Sequence, residues 1–495
     1  MSGMAAQPPS AADNRRRGRG EQGEPIPEES RRVMARLDRI RTWSLSPAFL
    51  VIIGLGFLFT FYDIFDINVS FVQTCTQLVP GCTPETALNY LALPTILNLL
   101  GYVVGTLVLS PLSDRIGRRN MLLITMLITG LGSLYTALSP DYANFVVSRA
   151  VTGIGIGADL AIVNTYVGEV APKQSRAKFT TVVFIMSAVG AFVGIWLGLI
   201  LTTPPTPWPT GLPFAVGAES GWRWMYVVGA ALAIIAIILR FQLPESVRWL
   251  LQRGRATDAA VLADQMEQRA LRRGPLAELS LAGTPTHWPP ARRVPYGDIF
   301  RNPVYLRRVI LLFFMWFVGY ITVYAYAAGF TTVLTSLKYS PPEAGIIAAV
   351  GSIGFIIEAV VMSFIVEKLE RRYWLPIGTV VTFIGAVVVA VGGDSLLVVF
   401  LGAMIIFAGF NLWVSPSYAM TVESFPTRAR STGFAIVDGV GHIGGGIGIL
   451  ILAPLIPHLS VIGALLLISS FLIIASILAQ FAPHTRNRVF EEVSP

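Results

Sequence analysis

Apolar residues come in blocks of about 20, separated by short polar loops, along nearly the whole chain. Windows of about 19 residues place twelve spans near 48–72, 89–112, 121–138, 143–167, 177–201, 222–242, 308–335, 343–366, 374–392, 396–420, 432–455 and 460–481. The pattern predicts an all-α membrane protein with twelve transmembrane helices. Residues 1–45 break it: they are polar, Arg-rich and Pro-rich, which predicts a disordered tail with no signal peptide ahead of the first span.

Composition agrees, with 54% hydrophobic residues, 13% charged residues and a mean hydropathy of +0.64. Basic residues then set the orientation, because Lys and Arg collect at the cytoplasmic ends of spans. Arg31, Arg32, Arg36, Arg39 and Arg41 precede span 1, and Arg115, Arg118 and Arg119 follow span 2. Lys173, Arg176 and Lys178 follow span 4, Lys368, Arg371 and Arg372 follow span 8, and Arg428 and Arg430 follow span 10. Arg223 and Lys338 are nearly all that stands on the other side. Both termini and the segment 243–307 are therefore expected in the cytoplasm, in a cell membrane. The net charge of +8 matches an anionic inner leaflet, not nucleic acid. Cys75 and Cys82, the only cysteines, share the first external loop. A disulfide and two unpaired thiols fit this spacing equally well.

The chain repeats itself. SPLSDRIGRRN (110–120) after span 2 parallels SFIVEKLERRY (363–373) after span 8, and EVAPKQSRAK (169–178) parallels ESFPTRARST (423–432). Asp114 and Glu367 are 253 residues apart, while Glu169 and Glu423, Pro172 and Pro426, and Arg176 and Arg430 are each 254 apart. Four paired positions at nearly one offset predict two six-helix pseudo-repeats, 46–242 and 308–482, joined by a cytoplasmic linker at 243–307 and followed by a tail at 483–495. Parallel repeats of this kind hold substrate between the halves near mid-membrane and rock about it.

SDRIGRR resembles the signature loop of the major facilitator superfamily. Ser110 replaces its usual leading Gly, and Glu370 stands at the turn Gly of the second copy. SRAVTGIGIG (148–157), YVGEVAPKQSR (166–176), GWRWMY (221–226) and LPESVRWLLQRGR (243–255) are similar to the sugar-porter-like, metabolite:proton symporter branch. The resemblance implies the major facilitator fold and a cytoplasmic gate. That gate would comprise Asp114, Arg115, Gly117, Arg118, Arg119, Glu169, Arg176, Glu245 and Arg248 in the first half, and Glu367, Lys368, Arg371, Arg372, Glu423 and Arg430 in the second.

Charge inside the spans is the candidate chemistry, since a carboxylate at membrane depth costs about 2.5 to 3.5 kcal/mol on insertion scales. Asp63 and Asp66 lie roughly 7 to 13 Å from the external end of span 1, and Arg149 lies roughly 9 Å from that of span 4, so the three can share a layer. Tyr62-Asp63 with Arg149 resembles the coupling pair of sugar porters, and Asp63 to Asp66 the aspartate pair of aromatic-acid symporters with Ile64 in place of a glycine. The sequence does not choose which aspartate carries the proton. Asp159, Glu358, Asp438 and His442 are further ionisable candidates for proton coupling or the substrate cavity, with Asp438 and His442 on one helix face. Trp316, Tyr320 and Tyr324 form an aromatic stripe that could line the cavity or simply pack, and Asn411 and Trp413 join them as cavity candidates.

The expected function is secondary transport of a small metabolite, with an organic or aromatic acid as substrate and sugar or phosphate as alternatives. The coupling ion is expected to be a proton, though the same carboxylates could take sodium. No cofactor, metal or nucleic-acid partner is expected, and the protein should be a monomer in the bilayer. A non-transporting receptor of the same fold is the competing class. HExxH, CxxC, GxSxG and Walker-type motifs are all missing, which argues against an enzyme.

Overall fold

The computed structural model describes residues 25–172, 176–281, 284–287, 296–337, 339–393, 395–425 and 433–486; within these, the side chains of 114, 168, 176–178, 180 and 296–298 are not described. The described chain is helical. A short helix α1 (Glu28–Asp38) precedes six spans: α2 (Pro47–Leu78), α3 (Ala87–Ser113), α4 (Arg118–Ala137), α5 (Tyr142–Val170), α6 (Arg176–Thr202) and α7 (Gly221–Arg240). The linker contributes α8 (Val247–Gln252), α9 (Ala256–Leu271) and α10 (Tyr296–Arg301). The second set runs α11 (Pro303–Ala327), α12 (Phe330–Ser336), α13 (Pro341–Ile365), α14 (Trp374–Gly392), α15 (Leu396–Asn411), α16 (Val414–Glu423), α17 (Ala435–Leu452) and α18 (Val461–Gln480).

Helix ends follow local chemistry. The Asp141 carboxylate accepts from the Asn144 N–H at 2.8 Å to start α5, and Ser340 with Glu343 forms a capping box at α13. Gly153 and Gly157 explain the GIGIG run: a Cβ at either would collide with the backbone of Asn98 or Tyr102 on α3, so the glycines let α3 and α5 touch.

Four spans are buried most deeply. About two thirds or more of the central window is buried in α2 (67%), α5 (72%), α11 (67%) and α17 (67%), against 39% in α7 and α18, whose outer faces carry Ile238, Phe241 and Ile477. The halves meet where α6 packs on α13 and α3 on α17, with α12 laid over α2 and α3.

Three expectations change. Residues 28–38 of the predicted disordered tail are helical and docked: Arg36 pairs with Glu267 at 2.5 Å and with Asp264, Arg39 pairs with Glu267, and Asp38 pairs with Arg248 at 2.9 Å. Composition alone hid this because the partners lie more than 200 residues away. The span predicted at 308–335 breaks at Ala328-Gly329 into α11 and α12. Helix α2 also runs on to Leu78, past the predicted end at residue 72, so Asp63 sits near its midpoint, about 22 Å from that end.

Candidate functional site

Asp63 and Asp66, three residues apart, occupy one face of α2. Phe71 of α2 packs on Phe145 of α5 with ring centroids 6.2 Å apart, and from that level the long Arg149 side chain reaches inward. Its Nη1 donates to Asp63 Oδ1 at 2.7 Å and its Nη2 to the Asp63 carbonyl at 2.8 Å. Ser133 Oγ donates to Asp63 Oδ2 at 2.6 Å, so both oxygens of that carboxyl are engaged. Asp66 differs. Its Oδ1 is 3.6 Å from Arg149 Nη1, and neither of its buried oxygens has a hydrogen-bond partner among the described residues.

Asp159 stands apart from this layer. Arg240, the last residue of α7, grips it with Nη1 to Oδ1 at 2.5 Å and Nη2 to Oδ2 at 3.0 Å, and Thr125 Oγ1 donates to Oδ1 at 2.8 Å. Nη1 also donates to the Leu122 carbonyl at 2.8 Å, and a Cβ at Gly56 would strike the guanidinium. The pair therefore joins α2, α4, α5 and α7 within one half rather than facing Asp63.

In the second half, Asp438 lies in a π-helical turn (Ala435–Gly439) that touches a similar turn of α3 (Gly105–Leu109). Tyr320 donates to Asp438 Oδ1 at 2.6 Å, and Tyr102, from the other half, donates to Oδ2 at 3.3 Å. The His442 ring stacks between these tyrosines, 3.9 Å from Tyr320 and 4.1 Å from Tyr102 by centroid. Trp316 stacks on both Tyr320 and Tyr418 at 5.0 Å, Trp413 lies 4.9 Å from Trp316, and Tyr324 meets His442 edge-on. The aromatic stripe thus joins Asp438 and His442 in one cluster at the seam. Among the described residues the Asn411 side chain bonds to the Phe407 carbonyl of its own helix, at 3.1 Å. Glu358, on α13, is buried with Oε2 unpartnered among the described residues.

At the end of the seam where α11 gives way to α12, Asn68 clasps the two halves. Its Nδ2 donates to the Tyr326 and Ala327 carbonyls at 3.0 and 2.6 Å, freed where α11 ends, and its Oδ1 accepts from Thr331 Oγ1 at 2.7 Å. Cys75 and Cys82, beside this clasp, form a disulfide.

The ion pairs described in the two signature loops lie within their own halves. Arg118 pairs with Glu169 at 2.9 Å, and Glu245 accepts from the Arg118 and Arg119 N–H groups at 3.0 and 3.3 Å, capping α4. Gly117 has φ +105°, and Glu245 fills the place a Cβ would take. Burial pushes the Glu245 carboxyl above its ordinary range, against those N–H groups. The Arg115 carbonyl accepts from Arg253, while Arg248 serves α1 through Asp38. In the second half Arg371 bonds Glu367 at 2.9 Å and approaches Glu423 at 3.8 Å, and Arg372 donates to the Gln480 carbonyl at 2.8 Å. Lys368 ends the 3₁₀ turn 366–368. Glu370 replaces the turn glycine with φ −62°, and its carboxylate accepts from the N–H groups of Arg371, Thr485 and Arg486. Burial raises its pKa, but these donors and nearby His484 bring it below the ordinary value. The side chains of Asp114 and Arg176, and all of Arg430, lie outside the described residues.

Sequence reasoning missed Tyr102, Tyr418, Ser133, Asn68 and Arg240. Arg240 carried a signal, as a lone cation closing an apolar run, but it reads like any orientation charge until Asp159 is seen against it.

Comparison with known proteins accords with this geometry. Residues 48–495 match the family model described as Sugar (and other) transporter. The chain is 25% identical to the 4-hydroxybenzoate transporter PcaK of Pseudomonas aeruginosa, over 84% of this chain and 88% of that protein. It is 26% identical to a D-xylose transporter of Levilactobacillus brevis, over 80% and 84% of the two chains. Its fold is similar to the partially occluded inward open conformation of the xylose transporter XylE from E. coli, with a TM-score of 0.65 and 19% identity over 89% of this chain and 99% of that one. The chain belongs to the sugar (and other) transporter family of the major facilitator superfamily, and is a multi-pass membrane transporter of small molecules rather than an enzyme.

Proposed function

We propose that this protein is a monomeric proton-coupled symporter of a small aromatic acid, set in the cell membrane with both termini in the cytoplasm. The observation that carries the coupling is the contrast at Arg149: one guanidinium, one fully engaged carboxyl on Asp63, and a second carboxyl on Asp66 with no hydrogen bond. A buried carboxylate without a hydrogen bond is costly, so Asp66 holds a proton in this arrangement. When the halves rock and water reaches it, the proton leaves, and Asp66⁻ competes with Asp63 for Arg149. That competition links proton release to helix position.

The aromatic-acid reading draws on the ring cluster at the seam and on similarity to 4-hydroxybenzoate transporters. The available drive is ample: about 2.3 kcal/mol per 100 mV and about 1.4 kcal/mol per pH unit support several-hundred-fold accumulation.

Proteoliposome uptake under an imposed pH gradient, against a panel of aromatic acids, tests this. Asp66→Asn should retain exchange down a gradient yet lose uphill accumulation. Undiminished proton-driven accumulation in that variant would sink the coupling assignment. Orientation is tested by impermeant thiol labelling of Cys75 and Cys82 after reduction in intact cells, where labelling only after lysis would reverse the topology.

A further inference from the structure

Arg149 is engaged by Asp63, which leaves open how the site receives an anion. His442 offers an answer in the other half. Its Nδ1 lies 2.7 Å from the Asp438 carbonyl and 3.6 Å from Asp438 Oδ1. That geometry puts the resting proton on Nδ1, donated to the carbonyl, and leaves Nε2 with its lone pair. Among the described residues Nε2 makes no hydrogen bond.

The surroundings favour a second proton once an anion arrives. The Asp438 carboxylate stands one turn back as a counter-charge, and the ring lies between the Tyr102 and Tyr320 faces at 4.1 and 3.9 Å. Aromatic faces attract a cation, and a backing carboxylate steadies an imidazolium. The ionisable groups facing the ring are Tyr102 from α3, Tyr320 and Tyr324 from α11 and Asp438 from α17 itself; Tyr418 of α16 reaches it only through Tyr320, at 3.3 Å between hydroxyls. Of these only Asp438 can bear charge at neutral pH. With His442 neutral and Asp438 ionised the cluster is anionic and repels an anion. With Nε2 protonated it is neutral and presents one N–H donor.

We propose that His442 is the residue that receives the substrate carboxylate, and that substrate binding places a proton on Nε2, separate from the proton on Asp66. One N–H bond forms, the proton comes from water on the open side, and no bond to substrate is made or broken. This rests on the aromatic-acid reading above. Tyr102 contacts both Asp438 and His442 from the opposite half, so filling this site also bears on the seam.

The test uses purified full-length protein and two probes of one shape, 4-hydroxybenzoate and the neutral 4-hydroxybenzamide, with benzoate and nicotinate as further carboxylates. Calorimetry in buffers of different ionisation enthalpy counts protons taken up on binding. In the wild type, carboxylate binding should take up one proton more than amide binding, and the carboxylate-to-amide affinity ratio should rise as pH falls. His442→Gln should abolish the extra proton and weaken carboxylate binding by about tenfold to hundredfold, while amide binding stays within about twofold. Equal proton counts for the two probes in the wild type overturn the proposal without any variant, as does a His442→Gln protein that keeps the extra proton. If none of the three carboxylates binds the wild type, the aromatic-acid reading itself falls and this proposal with it, an outcome distinct from the other two.

Discussion

The first half buries two arginine–aspartate pairs that look alike in sequence and differ in bookkeeping. Arg240 meets one carboxylate in a two-pronged pair completed by Thr125, and every charge there has its match. Arg149 meets two carboxylates and satisfies one. A balanced buried pair has no proton to exchange and serves to hold helices together. An unbalanced one can alternate between protonated and paired forms, as the proposed coupling requires.

Breaking the balanced pair should have the largest effect. Asp159→Asn leaves the Arg240 charge buried and uncompensated, a cost of about 3 to 5 kcal/mol, so thermal unfolding in detergent should show a strongly destabilised protein. Replacing both with apolar residues, Asp159→Leu with Arg240→Leu, should recover most of that loss. If Asp159→Asn instead keeps its melting temperature and loses coupling, the roles of the two pairs are exchanged.

Asp66→Asn should leave thermal stability nearly unchanged if, as proposed, the amide replaces a neutral carboxyl. The contrast in melting temperature between the Asn variants at 66 and 159 is the sharpest form of the comparison. Ser133→Ala comes next: it strips one donor from Asp63 at a cost of about 1 to 3 kcal/mol, and so should make Arg149 easier for Asp66 to capture. Proton-driven uptake measured against external pH should then shift its midpoint without disappearing, whereas an unshifted curve would mean that Ser133 merely packs.

A smaller effect separates the turns at Glu245 and Glu370. Glu370 has a depressed pKa, so its contribution is present above the unfolded value and fades as pH falls through its folded value, below 4.5. Glu245 has a raised one, so its contribution is complete below the ordinary value of 4.5 and fades as pH rises through its folded value. Amide exchange, corrected for the intrinsic pH dependence, should show acid loosening Thr485 and Arg486 while Arg118 and Arg119 tighten. Parallel trends at both turns would contradict these environments.

Legibility varied with the range of the interaction that mattered. Span number, the family and the meeting of Asp63, Asp66 and Arg149 in one layer are open to sequence reasoning, because apolar run length and the expense of intramembrane charge act residue by residue. The helix at 28–38 was missed since its partners, Asp264, Glu267 and Arg248, are remote in the chain. The split between α11 and α12 was missed because its free carbonyls are met by Asn68 of the other half. Asp159 reads as one more ionisable candidate in sequence, and its pairing with Arg240 is visible only in the folded chain.

Sequence by itself determined the twelve-span, two-half architecture, the family and the set of costly buried ionisable groups, since hydrophobic length and charge burial are properties each segment carries alone. Tertiary structure decided which carboxylate each arginine serves, which one goes unpaired, and that Asp438 and His442 meet Tyr102 across the seam. Those outcomes depend on side-chain geometry within a few ångströms between helices far apart in sequence, and no periodicity or motif encodes that.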